Sequence, residues 1–150
     1  MRKTTLIIFF LAAISCQRKE SITTSNVKQT IETADCESDF DAFFKEFAKD
    51  SVFQKSHIKF PLSSAYYGGE SYEELILDTI KTKEDFRYID FTEDATAMQS
   101  ETGKYTHEKI KSKNGLVYKL LGYDNGIMVS YKFEIINSCW TLVEILDEST

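Results

Sequence analysis

The side chains best suited to chemistry in this chain are carboxylates and tyrosines. A carboxylate can abstract a proton, and a nearby tyrosine hydroxyl can stabilise the oxyanion that forms. Glu144 is the acid singled out here, because it alternates with Leu142 and Leu146 on a predicted inner strand. An exposed position at a sheet edge is the simpler interpretation of Glu144. Tyr131 and Tyr118 are candidate oxyanion donors, but both also fit an apolar core with the hydroxyl at its rim.

The sequence offers no pattern for metal or cofactor chemistry. His57 and His107 lie in separate segments, without a cysteine or carboxylate at metal-ligand spacing. His107 follows a strand pattern beside Glu108, so a solvated edge residue is favoured over a catalytic base. There is also no nucleophile elbow and no glycine-rich phosphate loop. We expect no cofactor and favour a role other than catalysis.

The first sixteen residues have the layout of a bacterial lipoprotein signal peptide. Arg2 and Lys3 precede an apolar run over residues 6–14, and Ser15 and Cys16 follow it. The run is far shorter than the roughly 20 residues that a permanent membrane helix needs. We predict a signal peptide over residues 1–15 and a lipid on Cys16. The alternative is an ordinary secretory signal in which Cys16 is incidental.

A lipid on Cys16 would make the membrane the first partner of this protein and the cell envelope its location. Gln17 after the cysteine is compatible with sorting to the outer membrane. The formal net charge of −6 argues against nucleic acid as a partner, since phosphates require a basic surface. Attachment would come from the acyl chains rather than from basic residues.

The two remaining cysteines, Cys36 and Cys139, would lie in a compartment that permits disulfides. They could pair, which would close a long loop and stabilise the domain. The alternative is two free thiols, with Cys139 in a strand and Cys36 in a flexible leader. Sequence alone does not give the distance between them.

Residues 16–37 are polar and are predicted to form a flexible tether, followed by a single domain over residues 38–150. The domain opens with Phe40, Phe43, Phe44 and Phe47 at i, i+3, i+4 and i+7, which predicts an α-helix with one aromatic face. These phenylalanines, with Phe60 and Trp140, either line a ligand pocket or simply form the core. Ser38 or Asp39 would cap the helix.

Four apolar runs near the C-terminus predict an antiparallel meander, because Asn-Gly pairs and similar turns separate them. The runs are Tyr105–Lys111, Leu116–Tyr123, Ile127–Ile136 and Cys139–Leu146. An early strand contains Ile58, Phe60 and Leu62, with Pro61 indicating a strand edge or end. Residues 63–72 are expected to form a loop, and residues 75–80 a strand or a short helix. The pattern predicts an α+β fold in which a curved antiparallel sheet wraps around the N-terminal aromatic helix.

The segment from Phe40 to Leu62 resembles the start of a lipoprotein family of Bacteroidetes, domain of unknown function family 4348. The shared features are the aromatic helix, Phe53 followed by Gln54, and a strand ending in Phe60-Pro61-Leu62. The resemblance extends more loosely to Trp140 and covers most of residues 38–147. It implies a cone fold like that of nuclear transport factor 2, a fold also described as cystatin-like. It implies no activity, because this fold hosts enzymes and binding modules alike.

Three functions follow as expectations. The first is a non-enzymatic domain of the envelope that binds a small apolar ligand or a protein partner through the open end of the cone. The second is a pocket enzyme of the isomerase or dehydratase type that uses a carboxylate and a tyrosine. The third is an assembly or inhibitor protein that acts through an exposed sheet face, which could also form a homodimer.

Overall fold

The structure is a computed structural model that describes residues 36–71 and 73–150. The predicted signal peptide, the predicted lipidation site Cys16 and all of the predicted tether except residues 36 and 37 lie outside the described residues. Within the described part of the chain, no helix is long and apolar enough to cross a membrane.

Two short helices open the domain, and an aspartate caps the N-terminus of each. Helix α1 spans Phe40–Phe47, and the Asp39 carboxylate accepts a hydrogen bond of 2.9 Å from the Ala42 amide. Helix α2 spans Ser51–Ser56, and Asp50 accepts from the amides of Val52 and Phe53 at 2.8 and 3.0 Å. These two bonds lower the pKa of Asp50. Both caps satisfy amides that the first turn of a helix leaves without a partner.

Six strands form one sheet. They are β1 (Ile58–Gly68), β2 (Glu74–Ile80), β3 (Tyr105–Ser112), β4 (Gly115–Gly122), β5 (Met128–Ile136) and β6 (Cys139–Asp147). Their order across the sheet is β2-β1-β6-β5-β4-β3. The last four strands form the predicted antiparallel meander. The predicted α+β architecture is therefore confirmed.

The expectation of a wholly antiparallel sheet is wrong in one place, because β1 pairs with β6 in parallel. The last strand, β6, lies beside β1, so β1 is an inner strand between β2 and β6. Pro61 lies inside β1 instead of ending it, at the point where the pairing register with β6 shifts between Ile58 and Ser63. Such an irregularity tolerates the missing amide of a proline. The predicted loop over residues 63–72 was wrong up to Gly68, which β1 includes.

The aromatic face of α1 packs against the inner face of the sheet. Phe47, Phe133, Leu62 and Leu142 are completely buried there, and Phe40, Phe43, Phe44 and Trp140 join the same cluster. Phe60 is half-buried and packs against it. The sequence left open whether the phenylalanines line a pocket or form the core. Their close ring contacts show that they form the core, and Phe40, Phe44 and Trp140 also border surface hollows.

One buried polar side chain, Gln54, joins α2 to the irregular segment that precedes β3. Its amide nitrogen donates to the carbonyls of Phe47 and Ile89 at 2.9 and 2.8 Å, and its oxygen accepts from the Ile89 amide at 2.9 Å. Gln54 is completely buried. A glutamine is suited to this position because it offers donors and an acceptor together.

The start of the domain is fixed to β6 in two ways. Cys36 and Cys139 form a disulfide with their Cα atoms 5.1 Å apart, across a sequence separation of 103 residues. The indole nitrogen of Trp140 also donates to the Ser38 carbonyl at 3.0 Å. Of the two alternatives that the sequence left open, the structure contains the paired cysteines.

Candidate functional site

The candidate site lies between α1 and the β3 edge of the sheet. A small hollow of about 180 Å³ opens there, which we call the Asp94 recess. Its lining combines apolar and polar side chains: Phe44, Ala48, Phe91, Asp94, Ala95, His107, Lys109 and Tyr118. Helix α1 supplies one wall, strands β3 and β4 the opposite wall, and the segment that ends in a short 3-10 helix (Asp94–Gln99) closes the recess.

Asp94 holds the polar centre of the site. It is only 6% exposed, and both its carboxylate oxygens accept hydrogen bonds from tyrosines. The Tyr118 hydroxyl donates to Oδ2 at 2.6 Å, and the Tyr105 hydroxyl donates to Oδ1 at 2.7 Å. A buried carboxylate requires such partners, since burial without them costs several kcal/mol. The first turn of the 3-10 helix thus places the Asp94 carboxylate within hydrogen-bond distance of two hydroxyls on neighbouring strands, those of Tyr105 on β3 and Tyr118 on β4.

Three tyrosines around Asp94 have pKa values above the ordinary value, so they stay protonated to a higher pH than an exposed tyrosine. Burial raises the pKa of Tyr118 and Tyr105, and the hydrogen bond to Asp94 raises both further. Burial also raises the pKa of Tyr131, with the Asp94 charge adding to the effect. Tyr131 does not bond to Asp94, but its ring meets that of Phe91 edge-on at 4.9 Å between centroids. The phenols therefore remain hydrogen-bond donors at neutral pH.

Two cationic or ionisable side chains stand on β3 at the rim. The His107 ring stacks on Tyr118, with centroids 5.4 Å apart. Lys109 forms a salt bridge with Asp41 on α1, and its ammonium lies 6.0 Å from the centre of the Phe40 ring. His107 is exposed, as predicted, but its ring lies over the recess rather than away from it.

Other hollows carry less chemistry. A groove of about 450 Å³ begins on the far side of Lys109 and ends at Trp140, and we call it the Trp140 groove. A larger hollow of about 630 Å³ shares only Tyr105 with the polar cluster and is otherwise lined by Glu93, Thr96, Ala97, Gln99, Ser100 and Gly103. Neither contains a buried charge. Among the described residues, no cluster of three or more histidines, cysteines or carboxylates could hold a metal ion.

Of the three catalytic candidates, the structure brings Tyr118 and Tyr131 near the recess and places Glu144 elsewhere. Strand β6 carries an extra residue at Val143, because Lys132 pairs with Glu144 while the next residue, Phe133, pairs with Leu142. This bulge turns Glu144 to the outer face, where it lies 3.7 Å from Lys132 and its side chain is 42% exposed. The alternation that suggested an inward Glu144 is therefore broken.

His57 has a local structural role. Its Nδ1 atom lies 2.9 Å from the Phe53 carbonyl and 3.0 Å from the Ser56 hydroxyl. The ring stacks on that of Phe53 at 4.0 Å. These contacts stabilise the end of α2 and leave His57 away from the recess.

Sequence reasoning missed Asp94 and Tyr105. Asp94 lies 11 residues before Tyr105 and 24 before Tyr118, in a stretch without hydrophobic periodicity. One available signal was that Tyr105 and Tyr118 lie on the inward-facing phase of neighbouring strands, where two hydroxyls require a partner. That signal does not identify which carboxylate supplies it.

The fold defines the class of protein. Among solved structures, the chain is similar to an NTF2-like protein from Bacteroides fragilis, with 22% identity and a TM-score of 0.52. The alignment covers 77% of this chain and 49% of that one, so this chain spans about half the length of its neighbour. A curved sheet around an aromatic helix is thus a fold like that of nuclear transport factor 2.

Two further structures are similar at lower scores. A cystatin-like protein from Bacteroides caccae is 22% identical, with a TM-score of 0.49 over 72% of this chain and 74% of that one. A protein from Bacteroides uniformis is 23% identical, with a TM-score of 0.49 over 75% and 77%. No curated protein matches the chain. A protein-family model matches residues 38–149, and the chain belongs to the family that this model represents.

Proposed function

We propose that the domain is a binding module whose ligand enters the Asp94 recess. The observation that carries this proposal is a hollow with aromatic walls, a buried carboxylate whose two oxygens each accept a hydrogen bond, and two side chains with nitrogen donors at its rim. Ligand sites typically combine an apolar lining with a few placed polar groups. The apolar ligand expected inside the cone has no comparable space, because the phenylalanines of α1 fill the interior.

The dimensions and chemistry of the recess favour a small ring that bears an acceptor. A cavity of about 150 Å³ is large enough for a benzene ring, and the recess measures about 180 Å³. Phe44 and Phe91 offer ring contacts, while His107 and Lys109 can donate to a carboxylate at the rim. The Asp94 carboxylate repels such an anion, so the ligand's carboxylate is expected at the rim beside His107 and Lys109, with its ring toward Phe44 and Phe91.

A titration with benzoate, benzamide and benzylamine tests this proposal in a soluble form that begins at Gln17. We expect benzoate to bind most tightly and benzylamine least. Ala95→Trp, which fills the recess, should weaken benzoate binding by at least about tenfold. Ser112→Trp in the Trp140 groove and Ala42→Trp on the exposed side of α1 are matched controls that should leave binding unchanged. Equal loss in all three variants, or no preference for the anion, would contradict the proposal.

The proposal also includes the location of the protein in the cell. The basic residues, apolar run and Cys16 support a lipid-anchored protein of the bacterial envelope, and Gln17 supports sorting to the outer membrane. Metabolic labelling with an alkyne fatty acid tests the anchor in the full chain. Cys16→Ala should abolish the label, whereas Ser15→Ala should retain it. A labelled Cys16→Ala variant would rule out this anchor.

We also propose that the chain is a member of domain of unknown function family 4348. The support is the sequence from Phe53-Gln54 to Pro61-Leu62. Within it, the hydrogen bonds of buried Gln54 to Phe47 and Ile89 give a physical reason for the glutamine. The same glutamine in the other family members should bridge the same two segments. A family alignment that places a residue without an amide at this position would argue against membership.

A second candidate function is proton transfer in the recess. It is favoured because the carboxylate and tyrosine expected of such a site are present as Asp94 and Tyr118, although Glu144 is not involved. An assay of deuterium exchange in ketone substrates that fit the recess tests this function. Asp94→Asn should abolish any such exchange, while Glu144→Gln should leave it unchanged.

A further inference from the structure

The two edges of the sheet are protected to different degrees. Edge strand β3 carries charged side chains along its length, including Glu108, Lys109 and Lys111. Edge strand β2 instead contains the apolar run Leu75-Ile76-Leu77, and Leu77 is 78% exposed. In the part of the chain that the structure describes, β2 pairs only with β1. An edge that is apolar and unpaired is a template for another strand.

One register lets β2 pair with a second copy of itself over its full length without placing like charges opposite each other. A two-fold axis through the sheet would align two copies of β2 antiparallel, with like faces together. Centring the axis on Leu77 pairs all seven residues of the strand, from Glu74 to Ile80. Leu77 then faces Leu77 of the second copy, and Leu75 faces Thr79. Immediately beyond the strand ends, Glu73 faces Lys81 twice, which adds two attractive charge pairs.

The neighbouring registers are less favourable on two counts. Centring the axis on Ile76 pairs only five residues of the strand and places Glu74 opposite Asp78 at both ends. Centring it on Asp78 also pairs five residues and places the two Asp78 carboxylates opposite each other. Like charges directly across a strand pair are destabilising. Charge therefore selects the same register as pairing length.

We propose that a second copy of this chain pairs through β2 in the register centred on Leu77, which forms a continuous twelve-stranded sheet. The inference is independent of the ligand proposed for the Asp94 recess, because β2 and β3 are at opposite edges. An interface made by one strand from each copy is smaller than the 1,200–2,000 Å² typical of stable complexes, so the dimer is expected to be weak. Attachment of both copies to one surface would favour it by raising the local concentration.

Cysteine cross-linking of the full chain in intact cells treated with diamide tests this register. Leu77→Cys should form a covalent dimer, since residue 77 faces its own copy. Val52→Cys on α2 is the matched control, because Val52 is 77% exposed, like Leu77, but does not belong to the β2 edge. Leu75→Cys and Thr79→Cys should cross-link when expressed together and much less when expressed singly. Ile76→Cys should not cross-link above the Val52→Cys level.

Charge reversal separates specific pairing from collisions. In the Leu77→Cys background, Lys81→Glu should reduce the covalent dimer about fivefold, as two attractive pairs become repulsive. Adding Glu73→Lys should restore it, because the pairs become attractive again with the signs exchanged. Equal cross-linking of Leu77→Cys and Val52→Cys, or a Lys81→Glu loss that Glu73→Lys does not reverse, would overturn the proposal.

Discussion

The aromatic core and the Asp94 recess are both built from rings, but they use those rings differently. In the core, three phenylalanine rings contact the Phe133 ring edge-on, with centroids 5.2–6.0 Å apart; they are Phe40, Phe43 and Phe47. None of these side chains carries a polar atom. In the recess, the ring centroid of Tyr118 lies 4.3 Å from that of Phe44, and the Tyr118 hydroxyl donates to the buried Asp94 carboxylate. The recess thus differs from the core by the tyrosine hydroxyls and by the Asp94 carboxylate to which they donate.

The largest effect is expected where packing is tightest. Phe47→Ala should lower the free energy of unfolding by about 3–5 kcal/mol, because the side chain is completely buried and its removal leaves a cavity. Val52→Ala, at an exposed position of α2, should change it by less than about 0.5 kcal/mol. Urea denaturation of the soluble form measures both. A small effect of Phe47→Ala would show that the core is loosely packed.

A second prediction concerns Gln54, which connects α2 to the irregular segment that precedes β3. Gln54→Ala should destabilise the domain by about 2–4 kcal/mol, because it leaves buried backbone groups of Phe47 and Ile89 without partners. Neighbouring Lys55→Ala is the control and should have little effect. Hydrogen exchange should show the largest loss of protection at the Ile89 amide. Equal losses across the domain would contradict this local role.

A third prediction separates the polar contacts of the recess from packing. Asp94→Ala should cost about 1–3 kcal/mol, since the completely buried Tyr118 hydroxyl would lose its acceptor. Tyr118→Phe in that background should cost little more, because the hydroxyl no longer has a bond to lose. A double-mutant cycle in urea measures the coupling between the two residues. Strictly additive effects would mean that the bond contributes nothing.

The smallest effect concerns pH. The pKa values of Tyr105, Tyr118 and Tyr131 are raised in the folded state above the ordinary value of 10.0. Their contribution to stability is therefore complete below pH 10 and is lost as pH rises above it, where the unfolded chain releases these protons. Tyr118→Phe should reduce the slope of stability against pH above 10. Tyrosinate absorbance that appears for all tyrosines before unfolding would contradict this.

Sequence patterns predicted the core better than the recess for a physical reason. The phenylalanines at i, i+3, i+4 and i+7 interact within one helix, so their spacing alone defines the buried face. The exposed position favoured for Glu144 agrees with the structure, whereas the inward alternative fails because strand alternation assumes a regular strand and the bulge at Val143 reverses its phase. Asp94 could not be found by periodicity, since its partners are fixed by the fold and not by local spacing.

The most direct test of the account maps where benzoate binds. Amide chemical shifts recorded during a titration of the soluble form should move most at Ala48, Phe91, Ala95 and His107, around the Asp94 recess. The amides of Phe43, Phe47 and Phe133 should remain unchanged, because these side chains pack against one another and do not line the recess. Shifts centred on Trp140 and Ser112, or no localised shifts at saturating benzoate, would contradict the assignment of the recess as the binding site.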